Sequence, residues 1–165
     1  MKIKPFDKIE TSSLKSLRDF NDSCVILDTN AFFVPYNSNF DFLKEIKDKL
    51  RCKFVIFDFV YEELESLINK NQSNLKKVKL FNMLLQNYLD DFLFIKTNLS
   101  INDSLVDDIL VNLIKNDSLN VFDSFNDNND NNHLYLFTID NGLKKRLRSN
   151  IRIISLRQNK RIFFE

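Results

Sequence analysis

"CVILDTN", residues 24–30, decides the fold. Cys24, Val25, Ile26 and Leu27 form a short apolar run with no polar alternation. That pattern suits a strand covered on both faces, as in a parallel sheet. The run ends in a carboxylate, Asp28, followed by Thr29 and Asn30. An acid at the C-terminal end of such a strand stands where open α/β sheets bind ligands. Asp and Asn also form turns and cap helices, and on this stretch alone that reading has equal weight.

Working outward, apolar runs of strand length recur at "KFVIF" (53–57), "FLFIK" (92–96), "LYLFTI" (134–139) and "IRIISL" (151–156), and "RIFF" (161–164) offers a short sixth. Helical spacing separates them. Phe40, Leu43, Ile46 and Leu50 share a face in 40–50. Val60, Leu64, Leu67 and Ile68 do so in 60–70, and Val106, Leu110 and Leu113 in 100–116. The stretch 75–89 reads as another amphipathic helix, 140–150 as a last one, and 12–20 as a short one before the first strand. Strands alternating with helices predict an α/β fold with a mainly parallel sheet of about five strands, right-handed crossovers and helices on both faces. Residues 1–22 read as an N-terminal extension and 23–165 as one domain. Asn and Asp dominate 116–132, which predicts a flexible surface insertion.

The chain has 165 residues, enough for one domain with a real core. Its 44% hydrophobic and 28% charged residues are ordinary, while 17 Phe, no Trp and one Gly are not. Cys24 and Cys52 lie in apolar runs and read as core residues. One histidine, His133, excludes catalysis by several His and any Cys/His metal cluster; its place beside the Asn/Asp-rich stretch argues against a catalytic role. No apolar stretch approaches the roughly 20 residues that span a bilayer, and the first ten residues lack the apolar core of a signal peptide. The expectation is an intracellular protein without membrane contact, cytoplasmic, or nucleolar in a eukaryote.

Three further acids match Asp28 in position. Asp140 ends a strand in "LFTID", Glu63 lies one helical turn beyond the second strand in "VYEEL", and Asp107 lies early in a helix in "LVDDIL". In a parallel sheet these places share one edge. Convergent carboxylates raise one another's pKa unless a cation sits among them. Oxygen ligands without His or Cys select Mg²⁺ or Mn²⁺, which support in-line displacement at phosphorus without a covalent nucleophile. From Lys144 to Arg161 there are eight basic residues and no acid, a strip suited to phosphate backbones. Lys144, Lys145 and Arg148 are candidates to bind RNA on one helix face beside Asp140, and for any one of them a solvated helix surface has at least equal weight. Phe32, Phe33 and Tyr36 are either base-stacking platforms or, with more weight, core or a dimer face.

The segments "VILDTNAFFVPY", "FVYEELESL", "LVDDILVNLI" and "LFTIDNGLKKRL", in that order, resemble the four motifs of PIN-domain ribonucleases. Ile139 stands where the family usually has Asn. "FFVPYNSNFDFLKEI" and "IISLRQNKRIFF" are similar to archaeal PIN proteins and their relatives in small-subunit ribosomal RNA processing. The resemblance implies a three-layer α/β/α sandwich and metal-dependent endonucleolytic cleavage of single-stranded RNA, including pre-rRNA, leaving 5′-phosphate and 3′-hydroxyl ends. It implies Asp28, Glu63, Asp107 and Asp140 as the catalytic, metal-binding acids. Asn30 and Thr138 are implied as orienting groups, and Asp108 as a bystander, an outer partner or a ligand to a second metal. It leaves open a toxin of a toxin–antitoxin pair, a silent scaffold binding RNA or protein, and a homodimer.

Overall fold

The structure is a computed structural model, and it describes residues 9–19, 22–99, 101, 105–116, 133–158 and 160–165. Seven strands form a single sheet: β1 (Glu10–Ser13), β2 (Ser23–Leu27), β3 (Cys52–Phe57), β4 (Phe92–Lys96), β5 (Leu134–Phe137), β6 (Arg152–Arg157) and β7 (Arg161–Phe164). Their order is β1-β4-β3-β2-β5-β6-β7, parallel throughout except for β7, which runs antiparallel to β6. The helices are α1 (Val34–Ser38), α2 (Phe42–Lys49), α3 (Asp58–Lys70), α4 (Ser73–Leu85), α5 (Val106–Lys115) and α6 (Asn141–Leu147). Three 3₁₀ segments, Leu14–Asp19, Thr29–Phe33 and Gln86–Asp91, complete the described elements.

The expected α/β/α architecture is the one observed; "RIFF", read as a short sixth strand, is β7 at one edge, and β1 is added at the other. β1 lies within the stretch expected as an extension and pairs with β4. Its sequence, "ETSS", carries no apolar signal, because an edge strand needs only the ladder bonds of one neighbour. The short helix read at 12–20 is a 3₁₀ segment. Of the 116–132 insertion, all but Asn116 lies outside the described residues.

Phenylalanines build much of the core. Phe42 on α2 stacks on Phe137 of β5, with ring centroids 4.4 Å apart, and Phe81 on α4 meets Phe92 of β4 edge-on at 6.2 Å. These contacts set α2 and α4 on one face of the sheet. Right-handed crossovers put α5 and α6, which pack together, on the other. Leu43 and Ile46 are buried as read from sequence, while Phe40 lies before α2 and is half-buried, and Phe42 fills the core in its place. Each buried Phe contributes about 1.5–3 kcal/mol of apolar burial.

Chain order fixes where a site can form. From β2 the chain steps outward to β3 and β4, then returns to β5 on the other side of β2. The boundary between β2 and β5 is therefore the topological switch point, where an open α/β sheet leaves a crevice at its C-terminal edge.

Candidate active site

Leu27 of β2 pairs with Phe137 of β5, so the two chains leave the sheet level with each other, at Asp28 and Thr138. Both are buried. The Thr138 hydroxyl donates to Asp28 Oδ2, and the Ala31 N–H donates to Asp28 Oδ1 at 3.1 Å. Asp28 thus caps the Thr29–Phe33 turn with one oxygen and faces the switch point with the other, so the capping and ligand-site readings coexist. Burial pushes the Asp28 carboxyl up to about 7. The Thr138 and Ala31 hydrogen bonds oppose that rise, and the charge of Asp107 adds to it.

Asp140 stands two residues beyond Thr138. Its N–H donates to Thr138 Oγ1 at 3.0 Å, and its Oδ1 accepts the Leu143 N–H at 2.8 Å, capping α6. The chain's single glycine sits here: a Cβ on Gly142 would stand 3.0 Å from Asp140 Oδ1. Glu63 projects from the second turn of α3, and its Oε2 accepts the Thr29 hydroxyl. The start of α3 is pinned in turn: the Asp58 carboxylate accepts the N–H groups of Thr97 and Asn98 at 2.9 and 3.1 Å, tying the helix to the exit of β4. Asp107 lies in the first turn of α5. Partial burial raises its pKa, the charges of Asp140, Glu63 and Asp108 raise it further, and Arg146 offsets this in part. Asp108 itself accepts Arg146 Nη2 at 2.6 Å. Four segments of the chain therefore bring Asp28, Glu63 and Asp140 into electrostatic range of Asp107.

A hard divalent cation fits this donor set in kind. All four groups are anionic oxygens, and an oxygen that accepts one hydrogen bond keeps a second lone pair. Among the described residues, no three His, Cys, Asp or Glu side chains stand close enough to enclose an ion, so the carboxylates must rotate toward one another to close a site.

A family model described as a PIN like domain matches residues 25–159. The chain belongs to the PIN-like domain family. Its fold is similar to that in "Structure of the PIN domain endonuclease Utp24", with a TM-score of 0.61 and 19% identity over 88% of this chain and 93% of that one. No curated relative matches the sequence.

Within this PIN-like domain the other residues singled out from sequence fall in different places. Thr138 touches Asp28, whereas the Asn30 side chain is exposed and only its backbone amide acts on Asp28. Lys144 is half-buried one turn from Asp140, and Lys145 is exposed. Arg148 follows α6 and lines a depression of about 240 Å³ with Arg152 and Glu165, at the start of β6. Phe32 is core, 4.6 Å from Phe81, which removes it as a stacking platform. Phe33 is half-buried beneath Lys77, and Tyr36 is 51% exposed. His133 precedes β5, and its N–H donates to Ser23 Oγ at 3.0 Å on the opposite edge of the sheet. Thr29 is the residue that sequence reading passes over. Its position between two singled-out residues is visible, but its bond to Glu63 depends on how α3 meets β2.

Proposed function

We propose that this PIN-like domain is a divalent-metal-dependent endoribonuclease that cuts single-stranded RNA. The observation that carries the reading is the convergence of Asp28, Glu63, Asp107 and Asp140 at the switch-point edge, two of them with raised pKa values. The same four acids stand in the four segments that resemble the motifs of PIN ribonucleases. Asp28, Glu63, Asp107 and Asp140 would hold Mg²⁺ or Mn²⁺. When bound, such an ion supplies the positive charge that displacement at phosphorus requires.

The chain's own groups orient and charge the site. Thr138 holds Asp28 through Oδ2, Thr29 holds Glu63 through Oε2, and the α6 backbone holds Asp140 through Oδ1. Each bond fixes a carboxylate that would otherwise turn freely, as outer partners do around metal ligands. Arg146 pairs with Asp108 and offsets part of the negative charge around Asp107. Lys144 flanks Asp140 with positive charge for the phosphate backbone.

We assign the substrate to ribosomal RNA processing, on the resemblance of residues 32–46 and 153–164 to that branch of the family. Cleavage of an end-labelled, unstructured RNA tests the activity. Cutting with Mn²⁺ that is lost in EDTA and in the Asp28→Asn, Asp140→Asn double variant is the expected result. Binding without cutting, unchanged in the variant, indicates a silent scaffold. Cutting that survives in the variant refutes the site.

A further inference from the structure

Beside the acids, on the α6 side, lies a groove of about 700 Å³. Asn141 and Lys144 of α6 form one wall, and Leu156, Arg157 and Gln158 at the end of β6 form the other. Such a volume lies within the range of about 300–1,000 Å³ typical of small-molecule sites. Its position follows from register. Phe137 pairs with Ile154, and the Thr138 N–H donates to the Ile154 carbonyl at 3.1 Å, so the end of β6 stands level with the segment carrying Thr138 and Asp140. The groove therefore opens at the same sheet edge as the carboxylates, one strand away, and begins at the residue after Asp140.

Its lining is ordered by chemistry. Lys144 and Arg157 place two cations on facing walls. The Arg157 guanidinium lies 3.9 Å from the centre of the Phe163 ring, a stacking that holds its planar donor fork in place. Leu156 supplies an apolar contact, and the amides of Asn141 and Gln158 supply donors and acceptors. Glu165 also lines the groove, with its Oε1 accepting the Ser155 hydroxyl at 2.5 Å. A carboxylate repels phosphate and accepts hydrogen bonds from amino groups. Cations on the walls with an acceptor among them match a nucleotide whose phosphate lies between Lys144 and Arg157 and whose base turns toward Glu165.

We propose that this groove is the subsite for a nucleotide adjoining the cut, and that it favours a base with an exocyclic amino group over uracil. The proposal rests on the nuclease reading above and adds the base preference and the roles of Arg157 and Glu165.

Fluorescence anisotropy of labelled C₁₀ and U₁₀ ribonucleotides in EDTA tests it, using the whole chain with circular dichroism as a check on folding. The wild type is expected to bind C₁₀ several-fold more tightly than U₁₀. Arg157→Gln should weaken both about tenfold and lower the salt slope by roughly one phosphate contact. Arg157→Lys should keep the slope and recover only part of the affinity, since it keeps the charge and loses the fork. Glu165→Gln should bring the two affinities together. Wild-type protein that binds RNA equally well as Arg157→Gln overturns the groove and leaves the nuclease reading standing, as does equal affinity of the wild type for C₁₀ and U₁₀. Wild-type protein that neither binds nor cuts RNA overturns both.

Discussion

The two edges of the sheet carry the same residue types and treat them in opposite ways. At the N-terminal edge two acids meet cations. Asp22, before β2, lies 2.6 Å from Arg51, before β3, and Asp91, before β4, lies 2.6 Å from Lys47 at the end of α2. Lys53 closes that edge by donating to the Asp90 carbonyl at 2.6 Å. At the C-terminal edge Asp28, Glu63 and Asp140 surround Asp107 with like charge, and burial first, then that charge, raises the pKa values of Asp28 and Asp107. Stability alone would favour the first arrangement at both edges. Acids kept together against their own repulsion mark a place where a cation or a proton is expected to bind.

The largest expected effect breaks the comparison at the level of activity. Asp140→Asn should lower RNA cleavage by more than the roughly 100-fold that loss of an outer partner costs, while Asp22→Asn should leave it within about twofold, since its effect is confined to a structural pair. Single-turnover cleavage of the end-labelled RNA measures both.

The next effect is on stability. The Asp28 carboxyl ionises at the ordinary value of 3.8 when unfolded and at about 7 when folded. Ionisation therefore costs stability progressively as pH rises between those values, and the full cost is present above 7. In EDTA, Asp28→Asn should raise stability at pH 8 by roughly 4 kcal/mol at most. The gain should shrink toward pH 5 and vanish below about pH 4. Urea melts across that range check the trend, and a gain that grew as pH fell would contradict it.

Thr138→Val keeps shape and removes the hydroxyl held against Asp28. Cleavage should fall about 10–100-fold with the fold intact. With one favourable bond to the carboxylate gone, the Asp28 pKa rises further and the lower limb of the pH–rate profile should move to higher pH. The smallest effect sharpens the comparison from the other side. Arg51→Ala should cost less than about 1 kcal/mol, because the arginine side chain is 88% exposed and screened.

Much of the fold is legible in the amino-acid sequence. β2, β3, β4 and β5 announce themselves as apolar runs because strands buried on both faces need no polar alternation, and the acids at their ends follow from the same runs. β1 is not legible, because "ETSS" has no periodicity and is a strand only by lying against β4. α1 is hidden as well; its five residues begin with Val34-Pro35 and end at Asn39 in a left-handed conformation, too short for a helical pattern to show. In the site, Asp28 and Asp140 can be read as strand-end acids, and Thr138 through its family-like setting. Thr29 bonding Glu63 cannot, since it depends on the angle at which α3 leaves β3. Lys144, Lys145 and Arg148 look alike in sequence. Four positions, about one helical turn, separate the first from the last, and that turn carries Arg148 to the C-terminal end of α6, toward the start of β6.

The central claim is that the C-terminal-edge carboxylates form a divalent cation site. Electron paramagnetic resonance of free Mn²⁺, titrated with protein at pH 7.5, tests it most directly. The wild type is expected to deplete the free-ion signal, and a Glu63→Gln, Asp107→Asn double variant of equal foldedness is expected to leave it unchanged. Equal depletion by both, or none by the wild type, would contradict the claim.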